Sequence, residues 1–270
     1  MTRWPRWFGI LLLLLWLGSV SAAGLHSVHL EELTTSEVAA ALRDGNTTII
    51  IPVGGTEQSG PHLALGKHNL RVRVLAGRVA HQLGNALVAP VLAYVPEGRI
   101  DPPTEHMRFA GTVSIPEPVF QAVLQAATQS LWQHGFRDVV LIGDHGGYQE
   151  ALRSLAARLR PPAGRADMRL HFVGAFYQAA QAPLTDLLKA RGLTAAQIGN
   201  HAGAADTALQ LGLAPDSVRP DMFAQAAREG RLGGTTGDPR PATAALGQAG
   251  ADLIVTRTVA AIRTAVSSAR

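Results

Sequence analysis

A mostly parallel α/β protein is predicted by three observations. Apolar, β-branched runs alternate with runs of helical length along the chain. Glycine-punctuated polar loops follow the apolar runs, where open α/β sheets place their ligand sites. The 270 residues are 47% hydrophobic, enough to bury one large core.

The elements follow in order. The run TIIIPV places a strand at Thr47–Pro52, and its unbroken apolar character marks burial on both faces. A helix is expected over Leu70–Gln82, a strand at Ala86–Val95, a helix over Pro118–His134 and a strand at Asp138–Ile142. Helix resumes at Gln149–Arg160, followed by a strand at Arg169–Phe176. Helices at Leu184–Ala190, Ala202–Leu211 and Ala244–Ala265 close the chain. No internal repeat is evident, and the Pro/Gly-rich pieces 160–165 and 230–241 are short enough to be loops. Residues 24–270 are therefore expected to form a single domain.

Residues 1–23 are expected to be a signal peptide. Arg3 and Arg6 precede an apolar stretch from Phe8 to Leu17, and the small residues Val20 to Ala23 suit cleavage after Ala22 or Ala23. The stretch is short of the roughly 20 residues a membrane span needs, so no stable span is expected after cleavage. The mature chain is expected to be exported, periplasmic or secreted. It has no cysteine and so no disulfide framework. The net charge of +4 falls to +2 when Arg3 and Arg6 are taken from 24 Lys+Arg against 20 Asp+Glu. With no dense basic cluster, nucleic acid is not expected as a partner.

The loop PVGGTEQSGPHLALGKHN, residues 52–69, carries Glu57, Ser59, His62 and His68 off the end of the first strand. A second polar set, Asp144 and His145 with Gly146 and Gly147, leaves another strand in the same way. His201 and Asp206 lie at the start of a helix, and Glu105 and His106 precede Gly111. Glu57, His68, His145 and Asp206 offer two carboxylates and two imidazoles, a mixture that suits zinc, iron or manganese with a position left for water. The spacing matches no HExxH or paired-cysteine signature. Some of these residues also suit plainer roles. Asp144 can cap the following helix, His62 can be a hydrogen-bonded core histidine, and Glu105 and His106 can brace a pocket. Ser59 lacks the GxSxG elbow and a defined base.

The residues around these sets resemble the creatininase (creatinine amidohydrolase) family from about Leu33 to the last helix. The family's Pro-Val-Gly-Ser-Thr-Glu-Gln-His-Gly-Pro-His-Leu-Pro-Leu-Gly-Thr-Asp appears here as PVGGTEQSGPHLALGKH. GDHGGY at Gly143–Tyr148, HAGAADTA at His201–Ala208, EHMRFAGT at Glu105–Thr112, HGFRDVVLI at His134–Ile142 and GDPRPATAALG at Gly237–Gly247 extend the match in order. The resemblance implies a three-layer α/β/α sandwich and a metal-dependent hydrolase of amide-type C–N bonds in small, often cyclic substrates, working as a homo-oligomer on two bridged divalent ions.

Departures from the family pattern alter that expectation. Ser59 stands where the family has a ligand histidine, His68 where it has the bridging aspartate, and Asp206 where it has a glutamate. A single-metal site on Glu57, His68, His145 and Asp206 is expected, with His201 in catalysis. Ser59, His62, Glu105, His106, Asp144, Gly146 and Gly147 are expected around the substrate. The alternative is a non-catalytic exported binding protein that keeps the fold.

Overall fold

The computed structural model describes residues 25–267. The signal peptide expected at 1–23 lies outside them.

Four strands form one parallel sheet. They are β1 (Thr48–Val53), β2 (Ala86–Val88), β3 (Asp138–Gly143) and β4 (Arg169–Phe172), in the order β2-β1-β3-β4. β1 and β3 are buried at every residue, as their unbroken apolar runs require. Their register pairs Val53 with Gly143, so both strands end at the same level.

Helices cover both faces, and the alternation of side chains along the strands shows it. Ile50, Val140 and Ile142 pack with α2 (Lys67–Leu83), α5 (Ala175–Ala179), α6 (Ala182–Ala190), α8 (Ala204–Leu213) and α10 (Ala244–Ser267). Ile49, Ile51, Val139 and Leu141 pack on the other face with α1 (Thr35–Arg43), α3 (Glu117–Gln133) and α4 (Gln149–Arg158). Two short helices, α7 (Ala195–Ile198) and α9 (Phe223–Glu229), complete the set. The result is the expected three-layer α/β/α sandwich.

Topology fixes where a ligand goes. From β1 the chain crosses by α2 to the edge strand β2, then returns by α3 to the far side of β1 to form β3. Right-handed crossovers in opposite directions put α2 and α3 on opposite faces. The loops after β1 and β3 therefore diverge and leave a crevice between them.

Several boundaries differ from expectation. The second strand stops at Val88 because Pro90 has no donor for the ladder, although the chain stays beside β1 through a Val53–Leu92 bridge. The fourth stops at Phe172, since Gly174 begins the turn into α5. Helix α2 starts at Lys67, three residues earlier than expected. No helix among the described residues is long and apolar enough to cross a membrane.

Candidate functional site

The crevice between β1 and β3 holds the polar groups of both loops. The pin between them is Tyr148, fully buried, whose hydroxyl lies 2.9 Å from Val53 O and 2.6 Å from Gly54 O. The same oxygen accepts the N–H groups of Asp144 and His145 at 3.1 and 3.0 Å. The loops carrying Glu57 and His145 are thus tied together through one side chain.

Glu57 is the centre of the site and is fully buried. Its Oε2 faces two imidazoles, His106 Nε2 at 3.0 Å and His145 Nε2 at 3.5 Å, without a hydrogen bond to either. Beyond His145 lies Glu97, also buried, with Oε2 3.3 Å from His145 Nδ1. Neither Glu97 oxygen has a hydrogen-bond partner. Glu57, Glu97, His106 and His145 each offer a ligand atom within 4.8 Å of the others. Two carboxyl groups and two imidazoles that converge in this way match the ligand types and number of a divalent-ion site. Gly55, at φ +153°, leaves the room, since a Cβ there would lie 2.4 Å from Glu97 Oε1.

The other side of Glu57 is closed by cations of the chain itself. Its Oε1 lies 2.9 Å from His68 Nε2 and 3.3 Å from Lys67 Nζ. Lys67 also reaches Asp206 Oδ2 at 3.4 Å. One turn along α2, Arg71 donates Nε to Asp144 at 2.8 Å and a terminal nitrogen to Asp206 at 2.8 Å. His68 Nδ1 lies 2.6 Å from Asp144 Oδ2, so both its ring nitrogens face carboxylates. Asp206 accepts Ala202 N–H at 2.8 Å, which supports a backbone at φ +54° directly after His201.

These surroundings set the protonation states. Burial works against the charge of Glu57, but Lys67 and the imidazoles of His68 and His145 outweigh it and hold the carboxyl below its usual range. Burial and the neighbouring Glu57 push Glu97 up to about 9. Burial pushes His145 down to about 3 and His201 down to about 4, and it lowers His106 as well. Neutral imidazole is the form that binds metals and accepts protons.

A cavity of about 540 Å³ opens onto this centre. Lys67, His106, Asp144, His145, Gly146 and His201 are among its lining residues, with Tyr177, Asn200 and Arg231. Gln58 Nε2 lies 3.1 Å from His106 Nδ1, and the Gln58 backbone oxygen lies 3.0 Å from His201 Nε2, which ties these two rings to the β1 loop.

The creatinine amidohydrolase (creatininase) family profile matches residues 31–262. The chain belongs to the creatininase family. It is 32% identical over 221 residues to the mycofactocin precursor peptide peptidase of Mycolicibacterium smegmatis, covering 74% of this chain and 78% of that protein. It is 29% identical over 200 residues to the creatinine amidohydrolase of Pseudomonas putida, covering 72% and 75%. A solved creatininase variant superposes with a TM-score of 0.68 at 26% identity, covering 89% of this chain and 99% of that one. Solved creatininases include a Zn-Zn type and an Mn form.

Within this creatininase fold the residues singled out from sequence take different places. Glu57, His145 and His106 meet in the group of four, and His201 stands beside it with Nδ1 3.8 Å from Glu57 Oε1. His68 and Asp206 sit next to that group with their ligating atoms turned to other partners. Asp144 and Gly146 line the cavity, while the Gly147 N–H points to its neighbour His145 Nδ1 at 3.4 Å. His62 is fully buried, with Nε2 3.0 Å from Thr207 Oγ1 and its ring edge-on to Phe223. Ser59 is fully buried and its hydroxyl has no partner. Neither His62 nor Ser59 lines the cavity. Glu105 is exposed and faces a neighbouring surface cavity. Glu97, Lys67, Arg71 and Tyr148 were not singled out. A lone acid after an apolar run is the only mark of Glu97, whereas the i, i+4 pair Lys67 and Arg71 becomes visible once α2 begins at Lys67.

Proposed function

We propose that this chain is a metal-dependent hydrolase of amide-type C–N bonds in small molecules, with one divalent ion held by Glu57, Glu97, His106 and His145. Three buried carboxylate oxygens without hydrogen bonds, facing two neutral imidazoles, carry the reading. Zinc suits the ligand mixture best, with manganese or iron as the other compatible ions. The Zn-Zn and Mn forms of solved creatininases support a divalent metal. Such an ion supplies Lewis acidity and lowers the pKa of bound water towards neutrality.

The chain's own residues do the rest. The cavity lined by His106, His145 and His201 is where a small amide would bind. His201 is neutral at pH 7 and can take a proton there, and Glu57 and Asp206 both favour the imidazolium that results. Returning that proton to the leaving nitrogen completes the cycle. Gln58 fixes the His201 ring for this task through its backbone oxygen, 3.0 Å from Nε2. The expected localisation outside the cytoplasm and the homo-oligomeric state belong to the same proposal; N-terminal sequencing of the mature protein and its size in solution check them.

Metal analysis after purification in metal-replete medium tests the reading, together with turnover of a panel of lactams, cyclic ureas and formamides. Stoichiometric metal and hydrolysis of a panel member are expected. Metal-free protein that still folds and binds small molecules would favour the binding-protein alternative instead.

A further inference from the structure

Lys67 is 1% exposed, and its stem is packed at the first position of α2 with the ammonium between two carboxylates from different elements. Glu57 Oε1 comes from the loop after β1, and Asp206 Oδ2 from the first turn of α8, at 3.3 and 3.4 Å. A lysine is buried this deeply only where its charge is paired. Two carboxylate oxygens that converge on one point, one fully buried and one half-buried, are also what a hard divalent ion selects. Here the chain fills that point itself.

Glu57 is consequently divided. Oε1 is occupied by Lys67 and His68, whereas Oε2 faces His106 and His145 without a hydrogen bond. The geometry points to Lys67 as a tethered cation that fills the Glu57–Asp206 position, so that the centre takes one divalent ion, on the Glu57–Glu97–His106–His145 side, and no second. This rests on the metal-hydrolase reading above. A second ion would have to displace the ammonium or sit against it, and like charges at such range repel strongly in a buried site. Arg71 reinforces the exclusion, because it holds Asp206 and Asp144 together from behind. Lys67 is therefore the residue that sets metal stoichiometry.

The test is a metal titration of the chelator-stripped full chain with Zn²⁺ and with Mn²⁺, read by calorimetry and by elemental analysis after gel filtration. Wild type should bind about one ion per chain, and Lys67→Ala and Lys67→Ser should acquire a second binding step. Lys67→Arg, which keeps the charge, should remain at about one. Asp206→Asn provides a second reading that does not depend on removing Lys67. If Asp206 serves the ammonium and not the metal, the affinity for the single ion should shift by no more than the ~10–100-fold typical of an outer-shell partner, whereas loss of a ligand would exceed that range. Two ions on wild type, one ion on every Lys67 variant, or a ligand-sized loss in Asp206→Asn would each overturn the proposal and leave the hydrolase reading standing. No ion on wild type or any variant would defeat the metal-hydrolase reading itself, and this proposal with it.

Discussion

Glu97 shows how a single side chain can separate metal binding from folding. Its carboxyl is buried and is pushed up to about 9 by burial and by the neighbouring Glu57, so the metal-free fold holds it neutral. Glu97→Gln keeps that shape and neutrality. It should leave the metal-free melting temperature close to wild type while weakening metal binding by more than ~10–100-fold, as dialysis against a chelator series would show. Arg71 is the opposite case. It is 4% exposed and carries both Asp144 and Asp206, so Arg71→Met removes the guanidinium from a buried and a half-buried carboxylate. A loss of about 3–5 kcal/mol in urea unfolding is expected; a loss below about 1 kcal/mol would show that His68 and Lys67 suffice. The difference between these residues also explains which were legible in the sequence. Glu57, His145 and His201 stand in motif-bearing loops whose residue types suggest coordination or proton transfer, whereas the sequence suggests only a pocket brace for His106 and offers His68 and Asp206 as ligands in its place. Glu97 stands alone in YVPEGRI, and nothing in its local pattern reveals that the chain after β2 runs beside β1 and delivers it to His145.

At the scale of elements, the strands that position the site were legible because burial on both faces demands unbroken apolar runs. β1 and β3 fall within a residue of their expected ends. Helix starts were less legible, since α2 is preceded by Gly66, which offers no side-chain cap, and its first turn, Lys67-His68-Asn69, is polar. That turn looks like loop in the sequence because its polar atoms are matched by Glu57, Asp144 and Asp206 from distant segments. The contact between α8 and α10 is equally invisible to periodicity, yet it holds Asp206 in place. A Cβ on Gly247 of α10 would lie 1.8 Å from the Ala208 carbonyl oxygen of α8. Gly247→Ala must therefore push the two helices apart. It should cost about 1–3 kcal/mol, the usual penalty of overpacking, and calorimetric melting would register it. Because α8 also carries Asp206, the same variant should loosen the Lys67 and Arg71 pairs.

The whole molecule joins these groups into one pH response. Burial pushes His62 and His201 down to about 4 and His145 down to about 3, so at mildly acid pH only the unfolded chain protonates them. The unfolded state then binds more protons, and stability rises with pH by about 1.4 kcal/mol per pH unit for each such histidine. Their contribution is complete above the unfolded value of 6.5 and is lost as pH falls towards 4. Glu97 acts in the other direction. The fold keeps its proton up to about 9 and the unfolded chain releases it above 4.5, so through that window it lowers stability as pH rises. Metal-free protein should accordingly be most stable near about pH 7 in urea titrations, with a steep decline on the acid side and a shallower one on the alkaline side. Metal binding reverses the alkaline limb, because the ion requires the Glu97 carboxylate and must expel its proton. Affinity should tighten about tenfold per pH unit between 7 and 9, and calorimetry in buffers of different ionisation enthalpy should detect about one proton released per ion. If no proton leaves at pH 7.5, then Glu97 is not among the ligands, and the ion is held by Glu57, His106 and His145 without it.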